Sequence, residues 1–257
     1  TTEIYTLSLH DALPIYQTLV LLDSLAACGG FDLDDFAVRW RGLFDGYGGY
    51  VDGATRMTLK IFDFGEGPAN SGSNSNDLAG AARIAPLVYA LAHDLPALVD
   101  AARSQTKMTH NHARVIEAAE FFARAARAVL GGNTPMDALR LAAEAGYASA
   151  PIDQWLAAGF TSAADDTVDA IAALGQTCHI DEAMPAVVHL VARYPYDLSA
   201  CLRQNVMAGG DSAARGLLAG MLVGAATGLD ALPKPWAAGL AARGRIEADL
   251  QALDARS

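Results

Sequence analysis

The chain has 257 residues, 52% of them hydrophobic but only 7% aromatic, and a formal net charge of −11 from 29 Asp+Glu against 18 Lys+Arg. That balance disfavours phosphate backbones and anionic membranes as partners, and no local run of basic residues offsets it. Much of the apolar content is alanine, which suits closely packed helices, and no apolar–polar alternation supports a strand over more than a few positions. The expectation is an all-α protein of one domain. Cys28, Cys178 and Cys201 are odd in number, widely spaced and outside any metal pattern. They argue against a disulfide framework and for a reducing, cytoplasmic setting.

The start is anomalous. Thr1–Ile15 has neither the basic nor the apolar region of a signal peptide. Leu9-His10-Asp11-Ala12-Leu13-Pro14-Ile15 resembles a translated sequencing adapter, so residues 1–15 read as foreign and 16–257 as a domain that lacks its N-terminal helices. On that reading His10 and Asp11 carry no functional weight. From Gln17 the spacing of Leu19, Leu22, Leu25 and Ala26 is helical, and it stops at Gly29-Gly30. Asp32 or Asp34 caps a second helix carrying Phe36, Val38, Trp40 and Leu43. Asp45–Ser75 reads as a long irregular connection with room for a short helix over Met57–Phe64, and loops of this length are usually functional.

Gly72-Ser73-Asn74-Ser75-Asn76-Asp77 introduces a helix through Ala81, Ile84, Leu87, Val88 and Leu91, which Pro86 kinks or divides. Arg83 falls in its otherwise apolar second turn, where a charge must either snorkel or meet an anion. Thr109-His110-Asn111-His112 precedes a strong helix over Ala113–Leu130, closed by Gly131-Gly132. Thr134, Pro135 and Asp137 supply an N-cap, an N1 proline and an N3 acid for a helix reaching to Ala145. Shorter helices follow over Asp166–Leu174, Glu182–Tyr194 and Leu198–Met207, each introduced by Asp, with Asp165-Asp166 read as capping acids. The apolar run Gly216–Leu229 falls short of the ~18 residues of a spanning helix. Its glycines Gly216, Gly220, Gly224 and Gly228 share one face, where another helix can pack closely.

Most of the usual catalytic patterns are missing. His110 and His112 lack two further zinc ligands, no Gly-x-Ser-x-Gly elbow occurs, and no cysteine has a base partner. Three polar clusters remain: Gln17-Thr18, Ser73–Asp77 and Asn205–Ser212. Each reads as a helix start or glycine turn, where backbone N–H groups favour anions. In the last, Gly209 and Gly210 permit positive φ and close approach of a partner, and Asp211 either caps the next helix or holds a cation.

The order of these clusters resembles the ADP-ribosylglycohydrolase family, whose members include the dinitrogenase-reductase-activating glycohydrolases and the J1 crystallins. The resemblance runs from Gln17 to Trp236. It rests on Asn205-Val206-Met207-Ala208-Gly209-Gly210-Asp211-Ser212 with the glycine-spaced helix and Leu232-Pro233-Lys234-Pro235-Trp236 after it, on Ser75–Pro86, and on Thr109-His110 before a long helix. It implies an orthogonal multi-helix bundle that binds Mg²⁺ and ADP-ribose and hydrolyses the glycosidic bond between ADP-ribose and an acceptor. By the same resemblance Asp211 and Thr18 are metal ligands, and Asn76, Asp77, Arg83, His110, Asn205, Gly209, Gly210 and Ser212 bind the ligand. The partner is then ADP-ribose or an ADP-ribosylated substrate, with neither nucleic-acid backbone nor membrane.

The sequence also departs from the family pattern. The first acidic motif is expected over residues 14–18, where Gln17 replaces one Asp, and the helix that carries the acidic residue often assigned as catalytic is absent, so no catalytic residue is assigned. Ala213 and Ala214 replace an Asp and a hydroxyl residue of the C-terminal motif. Alanine offers no donor atom, so Mg²⁺ binding is expected to be weak or limited to one ion. Two other functions are compatible with those losses. One is a silent ADP-ribose- or nucleotide-binding or structural homologue, as in the crystallins, and the other is a nucleoside or glycoside hydrolase that works without metal.

Overall fold

The computed structural model describes residues 9–256, with side chains from Leu13 onward. The reading of residues 1–15 as foreign falls in part on residues 1–8, outside the described range. Helix α1 (Leu9–Cys28) already runs through the second half of that segment, Pro14 included. A proline in an early turn costs one backbone hydrogen bond, and here Leu13 and Pro14 are both buried in return. Gln17 and Thr18 therefore sit inside a helix, not at its start, where no free N–H groups await an anion.

Local signals fix most of the other helices. Asp32, not Asp34, caps α2 (Leu33–Gly42), accepting from the N–H groups of Asp34 and Asp35 at 2.9 and 3.0 Å. Phe36 and Trp40 enter the core, whereas Val38 faces solvent. The long connection carries α3 (Gly53–Asp63), capped by Asp52. The helix after it is divided as expected into α4 (Ala79–Ala82) and α5 (Ala85–Leu91), with Pro86 in the first turn of α5. Next come α6 (Leu95–Thr109) and α7 (Ala113–Leu130), then α8 (Pro135–Ala143), opened by Thr134. They are followed by α9 (Ile152–Ser162), α10 (Thr167–Leu174), α11 (Ile180–Arg193) and α12 (Leu198–Met207). The chain closes with α13 (Ser212–Thr227), α14 (Lys234–Gly239) and α15 (Arg243–Asp254).

Four helices escape the sequence pattern, α6, α9, α14 and α15. The inner face of α6 is partly polar, with Gln105, Thr106 and Thr109 buried beside Leu98 and Met108. In α9 the interior Gly159 reads as a breaker, yet it lets that helix lie directly on α11, where a Cβ would meet Val188 Cβ at 2.5 Å. One further boundary differs: α11 starts at Ile180 behind His179, not behind an aspartate.

Among the described residues there is no strand, only two isolated bridges, Ser73 with His110 and Asp77 with His179. The protein is all-α, with one continuous core in which Phe121 and Phe122 of α7, Val187 and Val188 of α11 and Leu218 and Leu222 of α13 are fully buried. The glycine row of α13 is shared out. Gly216 and Gly220 receive Asn205 and Leu202 of α12, Gly224 faces open space, and Gly228 ends the helix with φ +76°. None of the described helices is long and apolar enough to cross a membrane.

Arg83, between α4 and α5, is 1% exposed, and it neither snorkels nor reaches a carboxylate. Its partners are neutral. The guanidinium donates to Gln17 Oε1 of α1, to Thr109 Oγ1 at 2.6 Å, and more distantly to Gln105 Oε1 and the Gly80 carbonyl. One side chain thus joins α1, α4 and α6. Arg83→Met would leave those acceptors buried and unmatched, so a loss of about 3–5 kcal/mol in urea unfolding is expected. A loss under about 1 kcal/mol would show that this junction is dispensable.

Candidate functional site

Five segments converge on a cleft of about 390 Å³. Pro14 comes from α1, Tyr50 and Asp52 from the turn before α3, Asp77 and Ala79 from the start of α4, and Gln176, Thr177 and Cys178 from the α10–α11 loop. Gly210 and Asp211 close the far side. The two bridges explain how so many loops hold position. The Leu78 N–H donates to the Cys178 carbonyl and the Ile180 N–H to the Asn76 carbonyl, both at 2.9 Å, which clamps Asp77 beside Cys178. Asp211 N–H donates to the Gln176 carbonyl at 3.0 Å, tying the glycine turn to the same loop.

Gly210 shows why that turn needs glycine. Its φ is +62°, and a Cβ there would lie 2.1 Å from the Gln176 carbonyl oxygen. Behind the turn, buried Asn205 donates to the Ser212 carbonyl at 2.8 Å and accepts from Arg215 Nε at 3.1 Å, while Arg215 also donates to the Gly209 carbonyl. Asn205 and Ser212 therefore brace the turn from inside, and they do not line the cleft. Asp211 occupies the N-cap position of α13 but makes no side-chain cap hydrogen bond; its carboxylate belongs to the cleft instead.

The other sequence candidates divide in the same way. Asp77 lines the cleft. Asn76 flanks it through its backbone, and Arg83 and His110 lie buried behind the wall, His110 so close under α4 that a Cβ on Gly80 would touch its ring at 2.5 Å. Burial, followed by the positive charge of Arg83, pushes His110 down to about 3, so the imidazole is neutral. The serine cluster serves the scaffold, because Ser71 and Ser73 donate to the Met108 and Thr109 carbonyls at 2.8 Å and finish the end of α6. Asp52 is the residue that sequence reasoning missed. Its signal was visible as an aspartate before a glycine and an amphipathic run, but only folding brings it opposite Asp77.

Asp77 is the cleft's perturbed group. Burial raises its pKa to about 6, with the nearby negative charges of Asp211 and Asp52 acting in the same direction. The Ala79 N–H, donating at 2.8 Å, and the Cys178 thiol partly oppose that rise. The Cys178 thiol is itself pushed up to about 12 by burial and by Asp77, so it stays protonated as a donor and is no nucleophile.

The donor set does not fit a pair of divalent ions. No group of three or more His, Cys, Asp or Glu side chains among the described residues converges tightly enough to hold a metal. The cleft-facing position of α1 is Pro14, which has no donor, and Thr18 spends its hydroxyl on the Pro14 carbonyl at 2.8 Å. Gln17 points to Arg83, away from the cleft, and Ala213 and Ala214 follow Asp211. Calorimetric titration with MgCl₂ should find no site tighter than about 1 mM, and two tight sites would refute this reading of the donors.

An all-α domain with a small carboxylate-lined cleft, one of whose acids is held near neutrality, has the features of a glycohydrolase. The sequence profile of the ADP-ribosylglycohydrolase family matches residues 14–257, and the chain belongs to that family. Among solved structures it is similar to an "ADP-ribosylglycohydrolase-related protein complex", with a TM-score of 0.72 and 26% identity over 95% of this chain and 81% of that one. No curated protein matches it significantly.

Proposed function

We propose that this domain hydrolyses the glycosidic bond joining ADP-ribose to an acceptor group. The observation that supports it most is Asp77, a cleft carboxyl whose pKa burial raises to about 6, so that a protonated fraction able to deliver its proton persists to higher pH than in an ordinary aspartate. Cleavage of a glycosidic bond needs a proton on the leaving atom and negative charge near the ribose, where positive charge develops. In this reading Asp77 protonates the leaving group, while Asp52 and Asp211 face the developing charge from the other walls of the cleft. The Gly210 backbone, which lines the cleft, lies alongside the ligand in this reading. Mg²⁺, bound weakly or as a single ion, would be an auxiliary of the chemistry.

The missing metal donors favour one neighbouring reading, in which the same cleft cleaves a nucleoside or glycoside bond with its own carboxylates alone. Release of free ADP-ribose from ADP-ribosylated arginine, serine and nucleic acid separates the two. Binding of ADP-ribose with no release from any substrate would instead identify a silent homologue.

Asp77→Asn has two expected signatures of opposite sign. The wild-type kcat/KM should fall as pH rises through about 6, where Asp77 loses its proton, and the variant should lose activity about 100-fold with no such limb. Because the folded-state pKa lies above the unfolded value of 3.8, the native state binds the extra proton between them. Stability is therefore lost as pH rises through that window, and the variant should gain about 1–2 kcal/mol at pH 8 but nothing at pH 4. A pH-independent difference in unfolding free energy would contradict the assignment.

A further inference from the structure

One chain of polar contacts runs from the core to the cleft and ends on Asp52. It starts at buried Arg83, which donates to Gln17 Oε1. A guanidinium has donors only, so the Gln17 amide must turn its oxygen inward and its NH₂ toward α3. There Gln17 Nε2 donates to Thr55 Oγ1 at 3.4 Å. The Thr55 oxygen is then an acceptor, and its single hydroxyl proton is left for Asp52 Oδ2, 3.0 Å away. The Thr55 N–H takes the other oxygen, Oδ1, at 2.7 Å. Gln17 is 4% exposed and Thr55 2%, so water does not compete for these links.

Helix capping alone does not account for this arrangement. A cap requires one carboxylate oxygen on one N–H group. Here the second oxygen is also held, by a hydroxyl whose direction is dictated from the cation behind it. Each oxygen of Asp52 keeps a further lone pair, and Asp52 lines the cleft.

We propose that Arg83, Gln17 and Thr55 form a directional relay that fixes the Asp52 carboxylate in the cleft, where its remaining lone pairs accept hydrogen bonds from ligand hydroxyls. Arg83, Gln17 and Thr55 are positioning residues, and Asp52 is the group that touches the ligand. The relay itself stands on geometry; that the hydroxyls are those of a ribose rests on the function proposed above.

Gln17→Glu tests the direction of the relay at constant shape. A carboxylate at position 17 pairs with Arg83 but offers Thr55 an acceptor, so the Thr55 proton turns inward and Asp52 loses its partner. Thr55→Val removes the hydroxyl with little change in volume, and Thr55→Ser restores it. The Asp52 carboxyl ¹³C resonance, assigned with Asp52→Asn, is followed beside ADP-ribose affinity by calorimetry and thermal melting. Gln17→Glu and Thr55→Val should both melt cooperatively, shift the Asp52 resonance and weaken ADP-ribose binding about ten-fold, with Thr55→Ser within about two-fold of wild type. An unmoved Asp52 resonance in both variants overturns the relay, whatever the ligand. A shifted resonance with unchanged ADP-ribose affinity overturns the role of Asp52 toward the ligand. If wild type binds no ADP-ribose while the resonance still shifts, the functional reading fails and the relay stands.

Discussion

A guanidinium placed in an apolar core is the constraint around which this structure is arranged. Burial lowers the Arg83 pKa to about 10, still far above neutrality, so the charge remains and must be solvated by the protein. The chain does this with neutral acceptors drawn from three helices. Each acceptor is itself fixed as a result. Gln17 is oriented by the contact, Thr109 is drawn between Arg83 and the His110 ring at 2.9 Å, and α4 is held with its carbonyl on Gln105 at 3.1 Å. Arg215 plays a similar part on the opposite wall, where it holds the Gly209 carbonyl and Asn205. Two buried cations thus brace the two sides of a cleft whose own side chains are acidic.

That division explains why the cleft is chemically asymmetric. The scaffold polar groups face inward, and Asp52, Asp77 and Asp211 line the cleft. Burial raises the Asp77 pKa, and the like charges of Asp211 and Asp52 add to that rise. The Cys178 thiol, too basic to ionise, moderates that rise by donating to it. A carboxyl whose pKa is raised toward neutrality is what acid-assisted cleavage of a glycosidic bond requires. The family supplies the scaffold, and α1 and the residues after Asp211 present no further oxygen donors to the cleft.

Much of this was legible in the sequence because its signals are local. Caps such as Thr134, the glycine stop at Gly131-Gly132, the division at Pro86 and the Asn205–Ser212 turn are each read within a few residues. The cleft was less legible because its parts are far apart. Asp52 lies in the long connection, and its meaning depends on Asp77 and Asp211, which one isolated bridge to His179 and one backbone hydrogen bond to Gln176 hold on the same loop. Residue type misled in the other direction. Asn205, Ser212, Arg83 and His110 are polar residues of the kind that bind ligands, but all four are buried behind the cleft wall. Gln17, which stands where the family's first motif has an Asp, turns its amide oxygen to a buried cation.

The most direct test of this account is a crystal structure of the protein with ADP-ribose. A larger surface groove of about 580 Å³ between α7 and α8, bordered by Arg124 and Arg127, provides an internal comparison, since it offers positive charge but no converging carboxyls. The account predicts the ribose that carries the scissile bond seated between Asp77 and Asp52, with the backbone of Gly209 and Gly210 alongside. Density for the ligand in the α7–α8 groove, with the carboxylate cleft holding only water, would contradict it.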